Sequence, residues 1–237
     1  MTFALHPAID AEALRRTFAA DRRIQIAPFL DDASAQALRD HLLARDDWRL
    51  VFNAGEKFYE VDRPGQASMT AEQQATLDGI VMQAATLGFQ YRYETIRVPD
   101  DPAERGKNGS LLDQLALFLS SGPARDLLRT ITGAHDIAFA DAQATCYGPG
   151  HFLTLHDDNV AGKNRRLAYV LGLTPKWRAE WGGLLMFHDE AGDIERALLP
   201  RMNVLNLFAV PQAHSVNIVA PFAGAPRYSV TGWLRTG

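Results

Sequence analysis

Two side chains able to bind a metal stand two positions apart at the end of a short apolar run. In an extended chain His156 and Asp158 would point to the same face, because successive side chains of a strand alternate. A third ligand is needed, and His214, which begins a later apolar run, is the candidate. Two imidazoles and one carboxylate on one face of a metal leave the opposite coordination positions open. The spacing therefore predicts a metal site formed by His156, Asp158 and His214, with open positions for other molecules.

An arginine at the start of the last apolar run is the next candidate. A buried guanidinium rarely lacks a partner, since an unpaired buried charge is costly, and its planar fork suits a carboxylate. This residue is Arg227, and two partners are possible for it. One is an internal Asp or Glu, and the other is the distal carboxylate of 2-oxoglutarate. Ser229, two residues on, shares the face of Arg227 and offers a hydroxyl. Two histidines and a carboxylate with open positions are typical of non-heme Fe(II) oxygenases, which makes 2-oxoglutarate the leading hypothesis.

Other polar residues near these candidates are predicted to lie outside the site. His151 precedes His156 by five residues, so a regular strand would turn it to the opposite face. Asp157 alternates away as well, although a bend at this position would place it beside the metal ligands. His188 ends an apolar run before a turn and is predicted to be exposed. Cys146 is the only cysteine; it cannot form an intrachain disulfide and is predicted to be a small buried hydrophobe.

The elements that must position these side chains follow Gly133. Short apolar runs recur there between turn residues, with the spacing of a β-sandwich or small barrel. The eight predicted strands are Ala142–Tyr147, Phe152–Leu155, Arg166–Leu173, Leu184–Phe187, Ile194–Leu198, Val204–Phe208, His214–Val219 and Tyr228–Leu234.

The preceding part of the chain has mostly helical patterns. The helices predicted from caps and apolar spacing are 10–20, a segment capped by Asp31 to Ser34 and reaching Arg45, 70–86, 110–119 and 123–132. Trp48 to Val61 favours strands around a turn. The Pro-, Asp- and Gly-rich stretch from Arg97 to Gly109 predicts an exposed, mobile connection.

Composition excludes several classes of protein. With 24 Lys and Arg against 28 Asp and Glu, the formal net charge is −4, which disfavours non-specific binding to nucleic acid. No apolar run approaches the length that spans a bilayer, so no membrane association is expected. A single cysteine and the lack of a recognisable secretory signal predict a cytoplasmic protein.

The segment from about Asp141 to Leu234 resembles a known family. It is similar to the prolyl-hydroxylase type of 2-oxoglutarate/Fe(II)-dependent dioxygenase, most of all to the branch that includes the ribosomal-protein prolyl hydroxylases of eukaryotes. The motifs that carry the resemblance are, in order, Cys146–Leu153, His156–Asp158, Arg165–Leu171, Trp177, Trp181–Leu185, His214 and Arg227–Ser229.

The resemblance implies an α+β fold, a double-stranded β-helix or jelly roll with N-terminal supporting helices. Residues 1–237 would form a single domain, with a helical cover and substrate-side elements in 1–135 and the jelly-roll core in 136–237. Iron would be held by His156, Asp158 and His214, and 2-oxoglutarate by Arg227 and Tyr147.

The same resemblance implies an oxidoreductase that uses Fe(II), 2-oxoglutarate and O2, with ascorbate as a candidate reductant. It would hydroxylate an unactivated C–H bond of a prolyl residue in a protein or peptide, or of a small amino-acid-like molecule. The alternative is a non-catalytic or isomerase-type metal-binding jelly roll. Nucleic-acid demethylation is disfavoured by the acidic balance and because the strand that begins at Arg227 lacks the Arg-x-Asn-x-Thr-x-Arg-like pattern of such enzymes. The sequence leaves the substrate and the oligomeric state open.

Overall fold

A computed structural model of the chain describes residues 2–237. Its helices are α1 (Ala11–Asp21), α2 (Asp32–Ala44), α3 (Arg63–Ala67), α4 (Ala71–Leu87), α5 (Pro102–Asn108), α6 (Leu111–Ser120) and α7 (Gly122–Thr132). Its strands are β1 (Arg23–Ile26), β2 (Arg49–Ala54), β3 (Lys57–Asp62), β4 (Tyr91–Arg97), β5 (Ile137–Ala140), β6 (Gln143–Tyr147), β7 (Phe152–His156), β8 (Arg165–Gly172), β9 (Leu185–His188), β10 (Ile194–Leu198), β11 (Val204–Ala209), β12 (His214–Val216) and β13 (Arg227–Thr236).

The helices begin and end where their caps predict. Asp10 accepts a hydrogen bond from the backbone N of Ala13 at the start of α1, and Thr70 and Gln73 form a reciprocal capping box before α4. Gly133 ends α7 in the left-handed region, at φ 70°, which costs glycine little. The helices predicted in this part of the chain are confirmed.

The strands form one curled antiparallel sheet. Its order is β1-β11-β8-β13-β6-β4-β7-β12-β9-β10, with β2 and β3 paired beside β4 and β5 beside β13. Each of the eight strands predicted after Gly133 is present, within one to three residues of its predicted bounds. The predicted jelly-roll fold with supporting helices is confirmed.

The N-terminal part of the chain also contributes strands, and these place residues near the site. β1 extends one end of the sheet by pairing with β11, whereas β4 lies between β6 and β7 and carries the hairpin of β2 and β3. The helical patterns of the sequence did not predict β1 or β4. β1 pairs with a strand about 180 residues away, and β4 pairs with β6 and β7, about 50 to 60 residues away. Because these partners are distant along the chain, no local pattern specifies the place of β1 or β4 in the sheet.

The two faces of the sheet have different neighbours. Helices α1, α2, α6 and α7 cover one face, and the main core lies there, with Leu171 of β8 and Val230 of β13 fully buried. Alternation turns the intervening residues, Val170 and Trp233 among them, toward the other face, where smaller apolar clusters border a cavity. The helical layer thus supports the sheet and leaves its concave face free for a site.

The prediction of an exposed connection between Arg97 and Gly109 is wrong at its centre. The stretch contains α5, whose Arg105 is 1% exposed. Its guanidinium donates to the carbonyls of Pro99 and Ala140 and lies 4.5 Å from the ring centre of Phe139. The Pro, Asp and Gly content correctly indicated turns, but a single arginine that caps two carbonyls anchors the segment to the body of the protein.

Within residues 2–237, no helix combines the length and the apolar character needed to cross a lipid bilayer.

Candidate active site

Two histidines from adjacent strands and one aspartate from the loop after β7 converge on the concave face. The β7–β12 pairing places His214 opposite His156 in register. Nε2 of His156 lies 3.5 Å from Oδ1 of Asp158, and Nε2 of His214 lies 3.4 Å from Oδ2 of the same carboxylate. One potential ligand atom from each residue falls within 4.8 Å of the others, and in residues 2–237 no further group of three such side chains meets this condition. The structure therefore brings together the three residues predicted as metal ligands.

Backbone carbonyls orient the two imidazoles. Nδ1 of His156 lies 2.9 Å from the carbonyl of Thr154, and Nδ1 of His214 lies 2.7 Å from that of Gln212. Since a carbonyl only accepts, each Nδ1 carries the proton and each Nε2 presents a lone pair. Burial and then the neighbouring His156 lower the pKa of His214 to about 4, which keeps its imidazole neutral. Two neutral Nε2 atoms and a carboxylate fit a divalent metal such as Fe(II).

Arg227 lies in the same cavity as the triad and is 4% exposed. Its Nη1 donates to the carbonyl of Gly183, its Nε is buried without a partner, and none of the ion pairs formed within residues 2–237 includes it. Burial lowers the pKa of its guanidinium, which is the effect of an uncompensated buried cation. An internal Asp or Glu partner, one of the two alternatives, is therefore not found in the described part of the chain.

Tyr147, at the end of β6, forms part of the wall beside Arg227. It is 4% exposed, the guanidinium carbon of Arg227 lies 5.0 Å from its ring centre, and its ring stacks on that of Tyr93 at 5.1 Å and 18°. Burial raises the pKa of Tyr147 well above its ordinary value, so its phenol stays protonated and able to donate a hydrogen bond. Tyr93 of β4 was not predicted as a site residue. The alternation of Tyr91, Tyr93 and Thr95 was the available signal.

Ser229 lies on the same face of β13 as Arg227 but is buried behind the wall of the main cavity. Its hydroxyl lies 2.8 Å from Oγ1 of Thr145, and it lines a separate small pocket beside Arg227. The residues next to it on the cavity wall are Thr145 and Thr231. A contact between Ser229 and a ligand stays a prediction from the sequence.

Of the residues predicted to lie outside the site, Cys146, His151 and His188 do so, whereas Asp157 lines the cavity of the triad. His151 is turned from the cavity and its Nδ1 accepts from the backbone N of Gly148, while burial and Arg92 lower the pKa of its imidazole to about 4. Cys146 is 3% exposed, as predicted, and burial raises the pKa of its thiol to about 12. The prediction that His188 is exposed is wrong, because it is half-buried with Nε2 2.8 Å from Oγ of Ser215.

The cavity that contains these groups has a volume of about 590 Å3. Its inner wall consists of buried side chains, among them Phe208, Leu185 and Val216. Its mouth has exposed apolar side chains: Phe89 is 54% exposed and its ring centre lies 5.7 Å from that of His156. A cavity of this size, with apolar side chains on its inner wall and an opening beside the triad, can hold a small ligand and admit part of a larger one.

Comparison with known proteins gives matches of three kinds. The sequence profile of the 2OG-Fe(II) oxygenase superfamily matches residues 142–235. The chain is 34% identical to prolyl 3-hydroxylase OGFOD1 of Xenopus laevis over 117 residues, which are 46% of this chain and 22% of that protein. It is 27% identical to the Mus musculus protein of the same name over 179 residues, 69% of this chain and 31% of the relative. The chain thus spans less than a third of the length of either relative.

A solved structure extends the likeness to the whole fold. The prolyl-4-hydroxylase of Pseudomonas putida superposes with a TM-score of 0.61 at 19% sequence identity, covering 96% of this chain and 100% of that one. The family profile begins within one residue of β6 and ends within β13, so it contains His156, Asp158, His214 and Arg227. The region that contains the candidate site, residues 142–235, is therefore similar to the 2OG-Fe(II) oxygenase superfamily.

Proposed function

We propose that this protein is a 2-oxoglutarate- and Fe(II)-dependent dioxygenase that hydroxylates a prolyl residue of a protein or peptide. The observation that carries the proposal is the buried guanidinium of Arg227, which lacks a carboxylate partner among residues 2–237 and lies in one cavity with the His156, Asp158 and His214 cluster. A dianion with one carboxylate at each end suits the arrangement of Arg227 and the metal triad. One end neutralises Arg227, and the other is free to chelate a metal.

The residues of the site would have different roles. The triad holds Fe(II) through two Nε2 atoms and the carboxylate of Asp158, and Arg227 binds the distal carboxylate of 2-oxoglutarate with a hydrogen bond from the phenol of Tyr147. Buried apolar side chains on the inner wall keep water away from the metal and strengthen these polar contacts. The metal and its co-substrates supply the oxidation of a C–H bond, and the protein supplies position and a dry environment.

The similarity of this chain to two prolyl 3-hydroxylases supports a prolyl substrate. The open, partly aromatic mouth of the cavity is consistent with a peptide that inserts one ring and leaves its flanks outside. A small amino-acid-like molecule is the alternative substrate. The two are separated by mass analysis of products, in which a prolyl-containing peptide gains one oxygen atom if the first substrate class is right.

The proposal is tested by succinate formation from 2-oxoglutarate under air with Fe(II), with ascorbate as reductant. The wild-type chain is expected to release succinate, and His156→Ala to release none above the protein-free level, since it removes a metal ligand. His135→Ala, in an exposed loop, is the matched control and is expected to keep full turnover. Turnover that survives in His156→Ala would exclude this function.

Metal analysis of protein purified without oxygen separates the proposal from a non-catalytic or isomerase-type jelly roll. Iron in about one equivalent, lost in His214→Ala, is expected. Zinc that persists when iron is supplied, together with no succinate formation, would favour the non-catalytic alternative.

Three further expectations belong to the same proposal. Residues 1–237 are proposed to form a single domain, with the jelly-roll core in 136–237 built onto the helices and strands of 1–135. No nucleic-acid partner is proposed, in line with the net charge of −4. A cytoplasmic location is proposed, since a reducing compartment maintains Fe(II) and the one cysteine is buried.

A further inference from the structure

The backbone of one metal-ligand candidate is in an unusual conformation. Asp158 has φ 65°, in the left-handed region that non-glycine residues seldom occupy. It stands two residues past the end of β7, where the chain must turn so that the carboxylate reaches both His156 and His214. The conformation of this single residue thus decides whether the three ligands meet, and such a conformation persists where surrounding contacts maintain it.

The contact that maintains it comes from the first residue of β8. Nη1 of Arg165 donates to the backbone carbonyl of Asp158 at 3.1 Å. The same nitrogen is 4.0 Å from the carboxylate Oδ1. The shorter distance is to the backbone, so Arg165 acts mainly on the conformation of Asp158 and only secondarily on its charge.

Arg165 is itself held in place. Its guanidinium carbon lies 3.5 Å from the ring centre of Trp233, and β8 and β13 pair directly beside it. The side chain is 14% exposed, and its Nε is buried without a partner. Stacking on an indole fixes the plane of the guanidinium and therefore the direction of its N–H groups. Arg166, the next residue, differs: its side chain is 52% exposed and pairs with the half-exposed Asp136.

We propose that Arg165, clamped on Trp233, is a positioning residue for the metal site, holding Asp158 in the left-handed conformation through its carbonyl so that the carboxylate faces the two histidines. This inference rests on the metal triad of the proposed function and adds a residue to its support. The competing role is a direct contact with substrate, because both Arg165 and Trp233 also line the cavity.

The test is binding of Co(II), which does not react with oxygen on the time scale of a titration and reports its ligand geometry in visible absorption. The full chain is titrated anaerobically as wild type, Arg165→Gln, Arg165→Lys and Trp233→Phe, with Arg166→Gln as the matched control. Arg165→Gln is expected to weaken Co(II) binding about 10- to 100-fold and to change the absorption band, as loss of an outer partner of a ligand does. Arg165→Lys keeps a donor but cannot stack, so it should recover part of the affinity.

The outcomes separate the two roles. Wild-type affinity and spectrum in Arg165→Gln, with a raised KM for substrate, would overturn the inference and assign Arg165 to substrate binding. If Arg165→Gln does not fold, as judged by its melting temperature, Arg165→Lys and Trp233→Phe decide between the two roles. Weakened Co(II) binding in these folded variants supports the positioning role, and unchanged binding refutes it. Failure of the wild-type chain to bind Co(II) would instead remove the metal site of the proposed function.

Discussion

The side chain of Arg227 illustrates what single residues contribute to this site. Its guanidinium is buried beside Tyr147, and within residues 2–237 its only hydrogen-bond acceptor is the carbonyl of Gly183. A cation in this position is costly unless an anion neutralises it, which favours the proposed binding of a carboxylate beside Arg227. Affinity for 2-oxoglutarate is therefore expected to depend on this residue more than on any hydroxyl nearby.

Substitution of Arg227 by Ala is expected to weaken 2-oxoglutarate binding by about 1.5–3 kcal/mol, roughly 10- to 100-fold, the value of a charge-assisted hydrogen bond. The measurement is calorimetric titration of 2-oxoglutarate into the Mn(II)-loaded protein without oxygen. Arg201→Ala, at an exposed position, serves as control and should bind as wild type. Equal affinities in the two variants would show that the distal carboxylate binds elsewhere.

Tyr147→Phe removes one hydroxyl and keeps the ring that stacks on Tyr93. Loss of a single hydrogen bond to a charged acceptor should reduce 2-oxoglutarate affinity by about 1–2 kcal/mol, about 5- to 30-fold, with the melting temperature unchanged. The same titration measures it. A variant that binds as tightly as wild type would limit Tyr147 to packing.

At the scale of elements, β4 and the loop that leads into α5 show how segments from the N-terminal part complete a site formed by later strands. β4 enters the sheet between β6 and β7, which brings Tyr93 against Tyr147 and Phe89 against the mouth of the cavity. α5 is anchored nearby by Arg105, which caps carbonyls on two different segments. The N-terminal part thus reaches the cavity through β4 and through Val98 and Asp100, which precede α5 and line the cavity.

Arg105→Ala is expected to lower the free energy of unfolding by about 2–4 kcal/mol, because it removes the charged donor to the carbonyls of Pro99 and Ala140 and the contact with Phe139. Urea denaturation of the two proteins measures the difference. Lys107→Ala, on the exposed side of the same helix, should change stability by no more than about 0.5 kcal/mol. A loss in Arg105→Ala no larger than this would mean that α5 is not anchored by its guanidinium.

At the scale of the whole molecule, the site joins strands that are distant along the chain. The metal candidates come from the end of β7 and from β12, and the residues proposed to bind a carboxylate come from β6 and β13, so ligands would link four strands of one sheet. Anything that binds the folded state and not the unfolded one stabilises it by mass action. Metal and co-substrate should therefore act as cross-links of the jelly roll.

Mn(II) at about a hundred times its dissociation constant is expected to add about 2.7 kcal/mol to the free energy of unfolding and to raise the melting temperature. Differential scanning calorimetry with and without the metal, and after chelation, checks this. His214→Ala should abolish the increase, whereas His135→Ala should retain it. An increase that persists in His214→Ala would place the metal outside the triad.

Much of the fold and of the site could be predicted from the sequence because the information is local. Capping residues such as Thr70 bond within their own first turn, and strand residues alternate with a period of two, so helix starts, strands and the shared face of His156 and Asp158 follow from short segments. The order of motifs around His156, His214 and Arg227 was sufficient to indicate the family.

Other features depended on contacts between distant segments and were decided only by the tertiary structure. The burial of Arg105, the place of β4 in the sheet and the stacking of Tyr93 on Tyr147 each require a partner that no nearby residue specifies. The sequence by itself determined which residue types could bind metal and carboxylate. Only the tertiary structure decided that Arg227 has no internal acid beside it in the described chain and that Asp158 turns toward both histidines. The reason is that burial and pairing are properties of the packed sheet and not of any single strand.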